Sequence, residues 1–217
     1  MKDYKPLPRK FYLQDTVTVS QNLLGKIIVR KIRNKFLAAR IVETEAYIGE
    51  HDPACHAYQK ITNRSSTLYE IGGTVYVYFI YGNYYCFNVV TEEKGVGCAV
   101  LIRAVEPVQG IDTMKEYRPK AKSLHELTNG PSKFCLAFNI DRTLNRADLL
   151  AKKIFISNPV DKMNFEICVS RRIGLNIGKE FQYRFFIKDN PFVTKHKINR
   201  EAIILNLKKK VVSPLRH

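Results

Sequence analysis

Apolar residues in this chain recur mainly in short runs dense in β-branched and aromatic side chains, the pattern of strands rather than helices. Such runs fill 26–32, 36–47, 74–81, 84–90 and 98–105, with later ones at 154–157, 165–170 and 182–187. Gly82-Asn83 stands between Tyr81 and Tyr84, and that dipeptide favours a tight turn, so 74–90 is predicted to be a hairpin. Helical signals are fewer. Asp15 can cap a helix through Val19, Leu23 and Leu24, with Gly25 as its stop. A second helix is predicted over 109–117. A third follows Asn129-Gly130-Pro131, where Pro131 suits a first turn and Phe134, Leu136, Ala137 and Phe138 form an apolar face. Strand following strand without regular intervening helices predicts an α+β fold built on an antiparallel sheet. One domain over 1–205 is expected, followed by a basic tail over 206–217.

Composition adds a partner. The 36 Lys and Arg against 20 Asp and Glu leave a net charge of +16 in 217 residues, a field that attracts polyanions such as nucleic acid. With 45% hydrophobic residues a core can form without disulfide or metal staples. No stretch approaches the roughly 18 apolar residues of a membrane span. The start, MKDYKPLPRKFYLQD, has no apolar run of the signal-peptide kind. Cys55, Cys86, Cys98, Cys135 and Cys168 lie far apart with no CxxC pair, which argues against structural zinc and against a disulfide framework. A cytoplasmic, nucleoid-associated protein is expected, with no membrane partner.

The densest chemical signal is Arg40-Ile41-Val42-Glu43-Thr44-Glu45-Ala46-Tyr47. In a strand, Glu43, Glu45 and Tyr47 share a face. Such a face is most often simply solvated. As a working pair, one carboxylate could activate water or ligate a metal, and spacing does not choose between them. A second cluster, Tyr76, Tyr78, Tyr81, Tyr84 and Tyr85, surrounds the hairpin; more phenols gather there than a core readily satisfies, and nucleobases stack on such rings. Tyr81, beside the turn, is placed as a surface wedge. Arg103 closes an apolar strand run and needs an anionic or polar partner.

Together these residues carry a resemblance. The chain is similar, from about Phe11 to Thr194, to the alkyladenine (3-methyladenine) DNA glycosylases of the mammalian type, which also occur in bacteria. The motifs are RIVETEAY at 40–47, His56, TNRS at 62–65, TVYVYFIYG at 74–82, Asn88, LIRAVEP at 101–107, GPSK at 130–133 and RRIG at 171–174. The resemblance implies a curved antiparallel sheet with flanking helices and a protruding hairpin. It implies a monofunctional enzyme in which Glu45 deprotonates the water that attacks a flipped nucleotide, with Arg103 and the carbonyl of Ile173 holding that water. Tyr47, His56 and Tyr78 would line the base pocket, and Asn88 would reject guanine. Tyr81 would wedge into the duplex, with Asn83 beside it. Arg64, Ser132 and Lys133 would contact the DNA backbone or support the site. No metal or other cofactor is required, and the implied partner is double-stranded DNA with damaged purines.

Asn83 and Asn63 depart from the family's usual residues, and the loop 91–97 is slightly longer; these bear on flipping and lesion preference. Two other readings use the same residues. A non-catalytic damaged-DNA-binding protein would keep the charge and the tyrosines without needing Glu45 or Arg103. A metal-dependent nuclease would use Glu43 and Glu45 with further acidic ligands, and 74–90 supplies none. With no heptad or long amphipathic helix to form a dimer seam, a monomer is expected.

Overall fold

The computed structural model, which describes residues 4–80, 82–161 and 163–205, is organised around one long strand. β1 (Ile27–Ile32) turns back through Arg33 and Asn34 into β2 (Lys35–Ile48), which runs for 14 residues. The remaining strands are β3 (Val75–Ile80), β4 (Tyr84–Thr91), β5 (Cys98–Gln109), β6 (Ile154–Ser157), β7 (Ile167–Ser170), β8 (Arg184–Ile187) and β9 (Ile203–Ile204). Among the described residues they form a single sheet in the order β3-β4-β5-β2-β8-β7-β9, with β1 pairing β2 and β6 beside that path. Every pairing is antiparallel.

β2 is where the sheet forks. One edge pairs with β5, while the other pairs with β1 over residues 35–40 and then with β8 over 43–45. The handover falls at Gly25, whose amide donates to the Ile41 carbonyl at 2.8 Å just before β1 begins. Its φ of +80° is strained for a side chain, and a Cβ there would lie 2.7 Å from the Phe165 ring. A helix stop signal in the sequence is thus also the point where one neighbour of β2 yields to the next.

Among the described residues four α-helices accompany the sheet: α1 (Arg9–Tyr12), α2 (Thr16–Leu23), α3 (Ile111–Tyr117) and α4 (Pro131–Ala137). Asp15 caps α2 by accepting the Thr18 amide at 3.0 Å. Ser20 of α2 bonds Thr44 of β2, and Phe134 of α4 meets Phe87 of β4 edge to face, so both helices cover one side of the sheet. The alternation of β3 divides the molecule. Val75 and Val77 enter the main core, while Tyr76 and Tyr78 join Cys55, Ala57, Leu68, Val90 and Ala99 in a smaller cluster on the opposite side. That second cluster floors the candidate site.

The α+β expectation holds, and the predicted elements recur with shifted ends. β5 continues past 105 through Pro107 to Gln109, because beyond Leu101 it pairs with β2 alone and an edge tolerates a residue without an N–H. α3 starts at Ile111 rather than 109, since Gly110 takes a left-handed φ of +80°. α1 and β9 escaped prediction because four and two residues carry no period. All five cysteines are buried. The predicted tail over 206–217 and the wedge residue Tyr81 lie outside the described residues. Among the described residues no helix is long and apolar enough to cross a membrane.

Candidate active site

Register places the chemistry. Glu45 of β2 is opposite Leu101 of β5, Leu101 is opposite Asn88 of β4, and Asn88 is opposite Tyr76 of β3. Residues in such a row share a face, so Glu45 lies in line with the aromatic hairpin three strands away. Beside this row the β2–β5 register slips: Glu43 faces Ala104, Thr44 faces Ile102, and Arg103 has no direct opposite. An irregularity of this kind re-aims a side chain. Arg103 turns onto both carboxylates.

The face carrying Glu43 and Glu45 is not solvated. Both residues are fully buried, which corrects the commoner expectation for such a pattern. Burial of anions demands partners, and these come from distant segments. Glu43 Oε1 accepts Arg103 Nε at 2.9 Å and Arg184 Nε at 2.7 Å, and Oε2 accepts the Thr194 amide at 2.8 Å. Burial works to raise the Glu43 carboxyl, but Arg103, Arg184 and Thr194 outweigh it and hold it below the usual carboxylate range. Burial works to lower the Arg103 pKa, and the two glutamates reverse this, so the guanidinium stays charged.

Glu45 has a different set of donors. Its Oε2 accepts the Tyr47 hydroxyl at 2.8 Å and Arg103 Nη1 at 3.2 Å, and its Oε1 accepts the Ile173 amide at 2.8 Å. A carboxylate offers roughly four acceptor positions. Three are filled, leaving Glu45 able to bond one further donor. Nearby, Arg172 and Asp52 make a further buried charge pair. Glu43, Glu45 and Asp52 therefore face Arg103, Arg172 and Arg184, three charges of each sign.

Tyr47 joins this network to a pocket of about 410 Å³, mouth included, lined by Tyr47, Cys55, His56, Tyr76, Tyr78 and Asn88 among others. His56 crosses Tyr78 at 4.7 Å between ring centroids, and its Nδ1 is 3.1 Å from the Tyr76 hydroxyl. Desolvation among these rings and the nearby Arg64 push the His56 pKa down to about 4, so the imidazole is neutral near pH 7. Asn88 is anchored by donating its side-chain amide to the Tyr76 carbonyl at 3.1 Å. Burial pushes the Cys55 thiol up to about 12, making it a small protonated wall rather than a nucleophile.

The structure thus gathers Glu45, Arg103 and Ile173 at one point and Tyr47, His56, Tyr78 and Asn88 at the next. Ile173 meets Glu45 through its amide. Arg64 stacks over the outer side of the Tyr78 ring at 4.7 Å, and Asn83 is exposed in the hairpin turn. Ser132 and Lys133 lie apart, in the first turn of α4, where Lys133 bonds Asn129 at 2.8 Å. The sequence reading left Tyr76, Asp52, Arg172, Arg184 and Thr194 without roles. RRIG contains Arg172, but nothing local marks Asp52 as its partner or Arg184 as a partner of Glu43. Guanidiniums stand against both glutamates, Arg103 on each and Arg184 on Glu43, where a nuclease reading would need a metal ion. Among the described residues no group of three or more His, Cys, Asp or Glu is placed to hold one.

The site sets a buried carboxylate behind an aromatic pocket with room for a planar group. The model of the methylpurine-DNA glycosylase family matches residues 10–191. This chain belongs to that family. It is 48% identical over 200 residues to a protein of Alkaliphilus oremlandii, covering 87% of this chain and 98% of the relative. It is 48% identical over 203 residues to one of Clostridium perfringens, with the same coverages, and 43% identical over 194 residues to one of Legionella pneumophila, covering 88% and 99%. All three relatives carry names that assign them provisionally as 3-methyladenine DNA glycosylases.

Proposed function

We propose that this protein removes alkylated and deaminated purines (3-methyladenine, 7-methylguanine, hypoxanthine and ethenoadenine) from double-stranded DNA, leaving an abasic site in an unbroken strand. It acts as a monomer in the cytoplasm, on nucleoid DNA. The observation that carries this reading is Glu45, fully buried, held by three donors and tied through Tyr47 to the pocket wall.

A base inside a duplex is out of reach, so the damaged nucleotide is flipped into the pocket. Tyr47 and Tyr78 stack on it, and His56 offers a hydrogen bond from its neutral ring. Asn88 leaves no room for the exocyclic amino group of guanine. Tyr81 fills the gap in the duplex, with Asn83 beside it, and Arg64, Ser132 and Lys133 contact the DNA backbone or support the site. Water, held by Glu45, Arg103 and the Ile173 carbonyl, attacks C1′. Its oxygen bonds the sugar, its proton passes to Glu45, and the electron pair of the N-glycosidic bond leaves with the base. The carboxylate also stabilises the positive charge that develops on the sugar. Bases methylated at N3 or N7 depart neutral without further help, whereas hypoxanthine and ethenoadenine leave with protonation.

The test is release of free base from methylated and hypoxanthine-containing DNA, in EDTA, by wild type and Glu45→Gln. Base release by wild type alone, with the strand intact until alkali, supports the reading. Turnover by Glu45→Gln would remove Glu45 from the reaction, and a wild type that binds lesions without releasing base would leave a damaged-DNA-binding protein.

A further inference from the structure

We propose that the buried Asp52–Arg172 pair is a positioning clamp that ties seating of the base to activation of the water. The inference rests on the glycosylase reading above and assigns a role to two residues that touch no reacting atom in it.

Arg172 directs its guanidinium at three separate segments. Nη1 and Nη2 grip the two Asp52 oxygens, the second at 2.7 Å, in a two-pronged ion pair spanning 120 positions of sequence. Nη1 also donates at 2.9 Å to the Ala46 carbonyl, between Glu45 and Tyr47. Nη2 reaches the Gly178 carbonyl at 3.3 Å. The guanidinium plane lies 4.6 Å over the Tyr47 ring and 5.5 Å from that of Tyr183. Asp52 in turn accepts the amides of Ile48 at 3.3 Å and Ala54 at 3.0 Å. Both side chains are completely buried.

Each clamped segment carries part of the site. The β2 segment holds Glu45 and Tyr47. The segment after Asp52 carries Ala54, Cys55 and His56, all pocket walls. The segment after Arg172 begins with Ile173, whose amide bonds Glu45, and continues to the pocket residue Leu175. Gly178 closes that loop at φ +63°, and a Cβ there would lie 3.1 Å from Arg172 Nη2 and 3.2 Å from Asp52 Oδ1. Well-packed apolar residues often stabilise a core as well as a buried ion pair does. They would not fix three segments at defined distances, which is what a forked, planar guanidinium does.

The experiment uses the full chain with Asp52→Asn, Arg172→Lys and the double variant. It measures single-turnover base release at saturating enzyme, ethenoadenine emission in the bound complex, and affinity for undamaged duplex. A displacement of about 1 Å at a reacting centre lowers rate on the order of 100-fold. A loss of that order is expected for Arg172→Lys, with ethenoadenine emission shifted from the wild-type level and undamaged-duplex affinity unchanged. The double variant should be no slower than Arg172→Lys alone, because the two residues act as a unit. Should Asp52→Asn not fold, Tyr183→Leu removes one ring contact from Arg172 and should shift the same readouts more mildly. Wild-type single-turnover rates in folded variants, or a parallel loss of undamaged-duplex affinity, would overturn the clamp. A wild type that releases no base would sink the glycosylase reading instead, and the clamp would then be judged on ethenoadenine emission alone.

Discussion

Tyr47 donates its phenol hydrogen to Glu45 at 2.8 Å while the ring of the same residue walls the base pocket. One side chain thus lines the pocket and holds the carboxylate, and substitution can separate the two roles proposed for it, stacking on the base and orienting Glu45. Tyr47→Phe keeps the ring and loses the donor. Hydrogen bonds to charged groups contribute about 1.5–3 kcal/mol, so single-turnover excision should fall roughly 10- to 100-fold with ethenoadenine stacking retained. Tyr47→Leu should lose both. Equal loss of stacking in the two variants would contradict the division.

The proposed mechanism gives the chemistry to Glu45, and Glu43 is expected to carry stability. Glu43→Gln leaves Arg184 and Arg103 short of a buried countercharge, at a cost of roughly 3–5 kcal/mol near pH 7. The folded carboxyl is held below its ordinary value of 4.5. Its contribution is therefore present above that pH and is lost as pH falls through the folded value. Urea midpoints measured from pH 7 to pH 3 should converge for wild type and variant as the solution becomes acidic. Parallel curves would show that Glu43 is not the titrating group.

His56 has the same sign by a different route. Its pKa is depressed to about 4 from an ordinary 6.5, so the unfolded chain takes up this proton first. Its contribution to stability is present above about pH 6.5 and declines as pH falls towards 4. In catalysis the imidazole stays neutral down to about pH 5. His56→Asn should weaken excision without moving the acid limb of the rate profile between pH 8 and 5. A limb that moved with the substitution would mean that His56 titrates there.

Binding to DNA should weaken steeply with salt. Each phosphate neutralised by Lys or Arg releases counterions, giving a slope of about −0.9 per contact in a log–log plot. Arg64→Ala should lower that slope by about one unit, measured by anisotropy on undamaged duplex from 50 to 200 mM salt. An unchanged slope would remove Arg64 from the phosphate-binding face.

The strands were legible because their runs of β-branched and aromatic residues are long, and β6 and α4 were placed to the residue or nearly so. Alternation in β2 placed Glu43, Glu45 and Tyr47 on one face, which the pairing register carries across to Tyr76 of β3. What remained hidden was what each face meets. Whether Glu43 is wet depends on Arg184, 141 positions away, and on the Thr194 amide, and no local pattern encodes either. The one-residue slip opposite Arg103 is equally silent in sequence, since it arises from the pairing of two strands rather than from either strand alone. The resemblance supplied Arg103 and Ile173, but not Asp52 as the partner of Arg172.

The three buried carboxylates all lie between positions 43 and 52, whereas two of their three guanidiniums wait until 172 and 184. During synthesis the acidic segment leaves the ribosome long before the arginines that neutralise it. Its β2 strand cannot be sealed into a dry core until β8 arrives to pair beside Glu43. A chain stopped short of Arg184 would hold uncompensated anions at its centre, a state that burial disfavours strongly. Folding and the acquisition of a working site should therefore coincide in one late event, so that nascent fragments of this protein are inert towards DNA bases rather than weakly active.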